Sequence, residues 1–227
     1  MFLGHFGLAL ASKKVNSYPS LGTTFFAAQF VDLLWPFLLL AGIEKVEIDP
    51  GNTAFTPLNF TYYPYSHSLV AVLGWSFLFG IIYYAVKKKR GAALLLSVLV
   101  LSHWVLDLIT HRPDLPLTFD NSATYGLGLW NNRIATVITE LTIFAAGCFM
   151  YLRATQPINK WGTISFVSLV IFFLLIYFMN LMGEPPPSAR VIGYVGLAQW
   201  IFIAWGYWID AYRRPYGTLQ NPKKGLE

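Results

Sequence analysis

Six apolar stretches divide the chain: residues 21–43, 68–86, 92–109, 134–152, 161–182 and 191–211 carry almost no charge, and short polar segments separate them. At about 1.5 Å of rise per residue, each is long enough to cross a hydrocarbon core of about 30 Å as a helix. The pattern predicts an all-α, polytopic membrane helix bundle of about six transmembrane helices. Residues 1–11 are equally apolar but too short to span, so they are expected to form a short interfacial or reentrant helix. They also precede the basic pair Lys13 and Lys14, the reverse of signal-peptide order, and the mature chain is expected to begin at or near Met1.

The polar connections set the orientation. Lys13 and Lys14, then Lys87, Lys88, Lys89 and Arg90, then Arg153 and Lys160, and finally Arg213, Arg214, Lys223 and Lys224 all fall on one side if six spans alternate. Basic loops stay in the cytoplasm, which places both termini there. The opposite connections, 44–67 and 110–133, are long and rich in Pro, Gly, Asn and aromatic residues, as expected of ordered loops capping the outer face. Residues 1–212 read as a single membrane domain and 213–227 as a polar cytoplasmic tail.

Composition sharpens this reading. With 56% hydrophobic and 12% charged residues, the chain has too little polar surface for an ordinary soluble domain. The net charge of +5 comes from bases clustered at the ends of apolar runs, where they meet lipid headgroups, so no nucleic-acid partner is expected. Cys148 is the single cysteine, and no disulfide framework exists.

Ionisable side chains inside spans carry the chemical information, because each costs at least about 2.5–3.5 kcal/mol at mid-bilayer unless paired or metal-bound. These are Asp32, His103, Asp107 and Glu140, with His5 in the N-terminal stretch, His67 at the mouth of the second span and His111 closing the third. His103 and Asp107 stand at i, i+4 and project from one helix face, so one metal ion could take both; His111, a further turn along, is a third ligand or a supporting partner. The plain alternative is a buried His–Asp hydrogen bond tethering helices. Counted from the cytoplasmic ends of their spans, Asp32 and His103 both lie about 16 Å deep and Asp107 about 22 Å. His67 and His5 approach from opposite faces, so joining them requires a reentrant N-terminal stretch and an inward-tilted second span.

The order of these residues resembles a known family. Gly4-His5-Phe6-Gly7-Leu8-Ala9, Phe30-Val31-Asp32-Leu33-Leu34-Trp35-Pro36, Tyr65-Ser66-His67-Ser68-Leu69 and Ser102-His103-Trp104-Val105-Leu106-Asp107-Leu108-Ile109-Thr110 are similar to pieces of the YdjM-like inner-membrane metal-dependent hydrolases, themselves distantly similar to zinc-dependent phospholipase C. The chain has one acid, Asp32, where that group has two, and Tyr63-Pro64-Tyr65-Ser66 where the group has Arg-Gly-x-Thr. The resemblance implies a divalent metal, zinc by preference, held by His5, Asp32, His67, His103 and Asp107. Placing the fourth span against the third adds Glu140, and Asp107 or Glu140 is the expected general base. The activity implied is hydrolysis of a lipid or lipid-linked phosphate ester, with membrane lipids and a lipid-like substrate as partners. A second reading, motivated by the departures from the family pattern and the 17% aromatic content, is a non-catalytic accessory subunit packed against other membrane proteins. A third is a proton-relaying transporter using Asp32 and His103, although no repeated halves support it.

Overall fold

The computed structural model describes residues 1–120 and 122–216. Its helices are α1 (Phe2–Val15), α2 (Leu21–Ala28), α3 (Phe30–Leu40), α4 (Pro64–His67), α5 (Leu69–Lys87), α6 (Arg90–Thr110), α7 (Arg133–Ala154), α8 (Lys160–Met182), α9 (Ala189–Leu197) and α10 (Trp200–Tyr212). Five segments are long and apolar enough to cross a membrane: α5, α6, α7, α8 and the α9–α10 run Ala189–Tyr212. The pair α2 and α3 makes a sixth, bent by 55°. Large apolar side chains stand exposed along these helices, among them Phe77, Ile134 and Met182, as a lipid-facing surface requires. The chain is therefore a multi-pass helical membrane protein.

Three short antiparallel pairings close the connections. Strands β1 (Lys45–Ile48) and β2 (Leu58–Tyr62) form a hairpin in the first long loop, and β3 (Leu115–Pro116) pairs with β4 (Thr124–Tyr125) in the second. Strand β5 (Thr155–Pro157) pairs with β6 (Arg213–Pro215) at the basic end. Residues 213–215, assigned from sequence to a polar tail, are thus part of the folded body. Arg213 is buried there, donating to Thr155 Oγ1, the Thr155 carbonyl and the Gly162 carbonyl. Residues 217–227 of the expected tail lie outside the described residues.

The first helix takes the reentrant one of the two courses expected of it. Helix α1 is apolar on every side, a pattern that requires burial all round, and it lies inside the bundle along α7. Glycines let the two backbones touch: a Cβ on Gly147 would stand 2.1 Å from the Gly7 carbonyl oxygen, the small-residue approach common between membrane helices. Phe6, Phe25, Phe173 and Phe202 pack around it, with Phe6 and Phe173 ring centroids 4.3 Å apart. From Lys13 and Lys14 at the basic end, α1 runs about 21 Å inward to Met1, whose amino group is buried against Asp107. Met1 therefore lies in the bundle interior.

The first span is likewise broken rather than straight. Gln29 leaves helical geometry at φ −101°, ψ 5° between α2 and α3, and neither Gly nor Pro marks the position. Packing fixes the bend from both sides. Gly22 of α2 sits against Gly206 of α10, where a Cβ on Gly206 would stand 2.8 Å from the Gly22 Cα. On the other side, Pro36 of α3 fills the space beside Gly196 of α9.

Candidate metal centre

Helix α6 is the axis of the site. Half of its apolar window is buried, more than in α5, α7, α8 or the α9–α10 run, and it presents His103 and Asp107 inward from successive turns. The bend after α2 brings Asp32, in the first turn of α3, up to the same level. The single turn α4 sets His67 at the start of α5. Four atoms result that face one another: His103 Nε2 lies 3.1 Å from Asp107 Oδ2 and 3.5 Å from Asp32 Oδ1, while His67 Nε2 lies 3.4 Å from Asp32 Oδ1 and 4.0 Å from Asp107 Oδ2. Sequence alone grouped Asp32 with the His103 and Asp107 ridge, and the structure brings them together.

The hydrogen bonds on the far side of each ring decide where the lone pairs point. His103 Nδ1 stands 2.8 Å from the Ala28 carbonyl. A carbonyl only accepts, so Nδ1 carries a proton, and in the neutral ring Nε2 keeps its lone pair. His67 Nδ1 stands 2.6 Å from Ser66 Oγ, which itself donates at 2.6 Å to Glu44 Oε2. With its proton given to Glu44, Ser66 Oγ accepts from His67 Nδ1, and His67 Nε2 is bare as well. Glu44 is fixed in turn by the backbone N–H groups of Tyr65 and Ser66, each 2.8 Å from Oε1. Two imidazole lone pairs and two carboxylates therefore converge in a space that is buried except at Asp32, whose side chain is 26% exposed.

Alignment separates a proton clamp from a cation site. His103 Nε2 is buried without a hydrogen-bond partner although a carboxylate oxygen lies 3.1 Å away; the oxygen stands off the ring's donor axis. Atoms arranged around a shared centre behave in this way. Four ligands at about 2.0–2.1 Å from a tetrahedral ion have six separations of about 3.3–3.4 Å; four of the six here run from 3.1 to 4.0 Å, and the groupings that are close throughout are Asp32–His67–His103 and His5–His103–Asp107, which share His103. The donor set, two imidazoles and two carboxylates, suits zinc and neighbouring divalent metals.

His5 belongs beside this set rather than in it. Its Nε2 lies 3.2 Å from Asp107 Oδ1, so it forms a second close grouping with His103 and Asp107. Its ring, however, is parallel to that of His103, with centroids 3.7 Å apart and planes at 1°. A ligand lone pair lies in its ring plane, so one ion cannot sit in the planes of both. The His67 and His103 planes cross at 66° and can meet at one ion. Asp107 Oδ1 also accepts from the Met1 amino group at 2.6 Å, which engages the oxygen that does not face His103.

Glu140 and His111 are placed elsewhere. Glu140 is fully buried in α7, but its Oε2 accepts from the Leu3 N–H at 2.8 Å, capping the start of α1, where backbone donors lack helical partners. It is in neither ligand grouping. Arg133, two turns earlier on α7, donates to the Leu181 carbonyl. His111 forms a separate dyad with Asp114, Nδ1 to Oδ1 at 2.8 Å, joined by the Tyr63 hydroxyl at 3.2 Å from both. Burial, with the Asp114 carboxylate nearby, holds the Tyr63 phenol well above its usual pKa, so it stays a donor. The sequence reading missed Glu44, Ser66 and the Ala28 carbonyl, although Ser66 is the immediate neighbour of His67.

No family model, curated protein or solved structure matches the chain. The likeness to the YdjM-like hydrolases rests on the quoted residues alone.

Proposed function

We propose that the chain is a membrane-embedded, metal-dependent hydrolase of the YdjM-like kind, with one divalent ion, zinc by preference, held by Asp32, His67, His103 and Asp107. The observation that supports it is the approach of the His67 and His103 Nε2 atoms to the Asp32 and Asp107 carboxylates, at 3.1–4.0 Å. An ion there supplies Lewis acidity: it draws charge from a phosphoryl or acyl oxygen and makes water a better nucleophile near neutral pH. The chain's own groups prepare the site. Ala28 and the Glu44–Ser66 pair fix the two imidazole tautomers, and such outer partners orient metal-ligating histidines generally. His5 and the Met1 amino group engage Asp107 Oδ1, leaving Oδ2 toward the centre. Asp32, the one exposed member, marks the approach for substrate. Setting within the spanning helices favours a lipid or lipid-linked phosphate ester over a soluble substrate.

The basic end is assigned to the cytoplasm of a bacterial inner membrane, which turns the loop-bearing end and the mouth of the site outward. The test is metal analysis of protein purified without chelators, paired with release of phosphorylated headgroups from mixed lipid vesicles. The reading expects about one ion per chain, with headgroup release abolished in Asp107→Asn and His103→Ala. Metal-free wild type, or equal release by wild type and both variants, overturns it. Metal-free protein that co-purifies at fixed ratio with a larger membrane assembly would establish the accessory-subunit reading instead.

A further inference from the structure

A groove that shares no residue with the metal centre runs along the side of the bundle between α2, the start of α3, α5 and α10. It encloses about 340 Å³, within the range of about 300–1,000 Å³ usual for small-molecule sites. Its lining is sorted along its length. Thr23, Tyr83, Lys87 and Tyr207 stand toward the basic end, in the first turn of α2 and the last two turns of α5 and α10. Phe26, Phe30 and Trp75 line the other end, with the Phe30 and Trp75 rings 5.6 Å apart. All of these side chains are half-buried or exposed, and Ile82, midway along α5, is 54% exposed, so a ligand can reach them. From Lys87 to Trp75 the groove follows α5 for about 18 Å, at about 1.5 Å of rise per residue. That is close to half of a hydrocarbon core of about 30 Å, the depth of one leaflet.

The polar end offers a cation and hydroxyl donors, and no carboxylate among the described residues lines it. Of the four consecutive bases 87–90, Lys88 and Arg90 rest over the Tyr84 ring and Lys89 over Tyr18. Lys87 is the one that lines the groove. Beside it, Ser20 Oγ, Thr23 Oγ1 and Tyr207 Oη form a row with spacings of 2.7 and 3.0 Å. Three hydroxyls hold three protons and two bonds use two of them, so one is left to donate; when the row runs from Ser20 to Tyr207, that proton is on the phenol lining the groove. An anionic phosphodiester answers both the ammonium and the phenol, whereas a cationic headgroup alone would meet Lys87 with like charge. The other end presents aromatic and aliphatic carbon, and its one polar atom, Trp75 Nε1, already donates to the Tyr65 carbonyl. An acyl chain suits that end. Basic pockets between spanning helices hold anionic headgroups generally.

We infer that this groove is a binding site for one anionic phospholipid of the leaflet at the basic end, its phosphate held by Lys87 and the Tyr207 hydroxyl and one acyl chain lying along α5 as far as Phe30 and Trp75. The site does not depend on the metal reading, so its test measures binding with chelator present and reads no turnover. The full chain is purified in a neutral detergent and titrated with phosphatidylglycerol and with phosphatidylcholine of the same acyl chains, and bound lipid is counted by native mass spectrometry. One phosphatidylglycerol per chain, held more tightly than phosphatidylcholine, is expected. Lys87→Gln should weaken its retention about fivefold, the worth of one basic side chain at an anionic headgroup. Ile82→Trp, which fills the groove from an exposed position, should weaken retention of both lipids. Lys160→Gln, which removes a base from the start of α8 outside the groove, should leave retention as in wild type. Equal retention of the two lipids overturns the inference, as does a loss in Lys160→Gln as large as in Lys87→Gln, which would mark a diffuse effect of charge. So does wild-type retention in Ile82→Trp, or a dimer that forms only when lipid is stripped, which would make the groove an interface between copies of the chain.

Discussion

Replacing Ser66 by Ala tests the metal site through a residue that touches no ion. Among the described residues, the Ser66 hydroxyl is the only link between Glu44 and His67: it gives its proton to Glu44 Oε2 and accepts the His67 Nδ1–H, both at 2.6 Å. Alanine removes that link and little else, because Glu44 remains fixed by the backbone N–H groups of residues 65 and 66. His67 then holds a buried Nδ1–H without an acceptor, at a cost of about 1–3 kcal/mol, and nothing keeps the proton on Nδ1 or Nε2 aimed at Asp32. Loss of an outer partner of a ligating histidine lowers metal affinity about 10- to 100-fold, or about 1.4–2.7 kcal/mol; the two figures agree. The assay is competition for zinc between purified protein and a chromophoric chelator, with His67→Ala as the variant that loses the ligand itself. The expected order of affinity is wild type, then Ser66→Ala, then His67→Ala. Wild-type zinc affinity in Ser66→Ala, with helical content unchanged by circular dichroism, would refute the assignment of His67 Nε2 as a ligand.

Three further outcomes are expected. Zinc should be lost on acidification, because protons compete with the ion for its imidazole and carboxylate ligands; a metal content unchanged between pH 8 and pH 5 in equilibrium dialysis would contradict this. Gly147→Ala should destabilise the protein by about 1–3 kcal/mol, since its Cβ would fall 2.1 Å from the Gly7 carbonyl oxygen; an unchanged unfolding midpoint in denaturant would show that α1 does not lie against α7. With Cys148 replaced by Ala, a cysteine at Asp49 should react with a membrane-impermeant maleimide on intact cells, and one at Lys89 only after permeabilisation; the reverse pattern would invert the orientation.

The spans were legible in the sequence because lipid imposes long uncharged runs, and the ridge of His103 and Asp107 because helical spacing alone puts both on one face. Asp32 was legible as an acid at the same depth. Three features lay beyond that logic. The bend at Gln29 is fixed by packing against α9 and α10, contacts made by residues more than 150 positions away. The interior course of α1 follows from Gly7 meeting Gly147, a pairing that no local pattern announces. The partners that set the histidine tautomers are an ordinary loop glutamate, Glu44, a serine, Ser66, and a backbone carbonyl, Ala28, none of which is unusual by type. Glu140 shows the converse: a buried acid on the neighbouring helix was read as part of the metal chemistry, whereas one of its oxygens caps α1.

Zinc-edge X-ray absorption on protein loaded with one equivalent of metal addresses the shared centre most directly. Two imidazole nitrogens and two carboxylate oxygens at about 2.0–2.1 Å are expected, with one imidazole contribution lost in His103→Ala. A six-oxygen hydrated shell, or a spectrum unaltered by that substitution, would mean that His103 and its neighbours do not hold the ion.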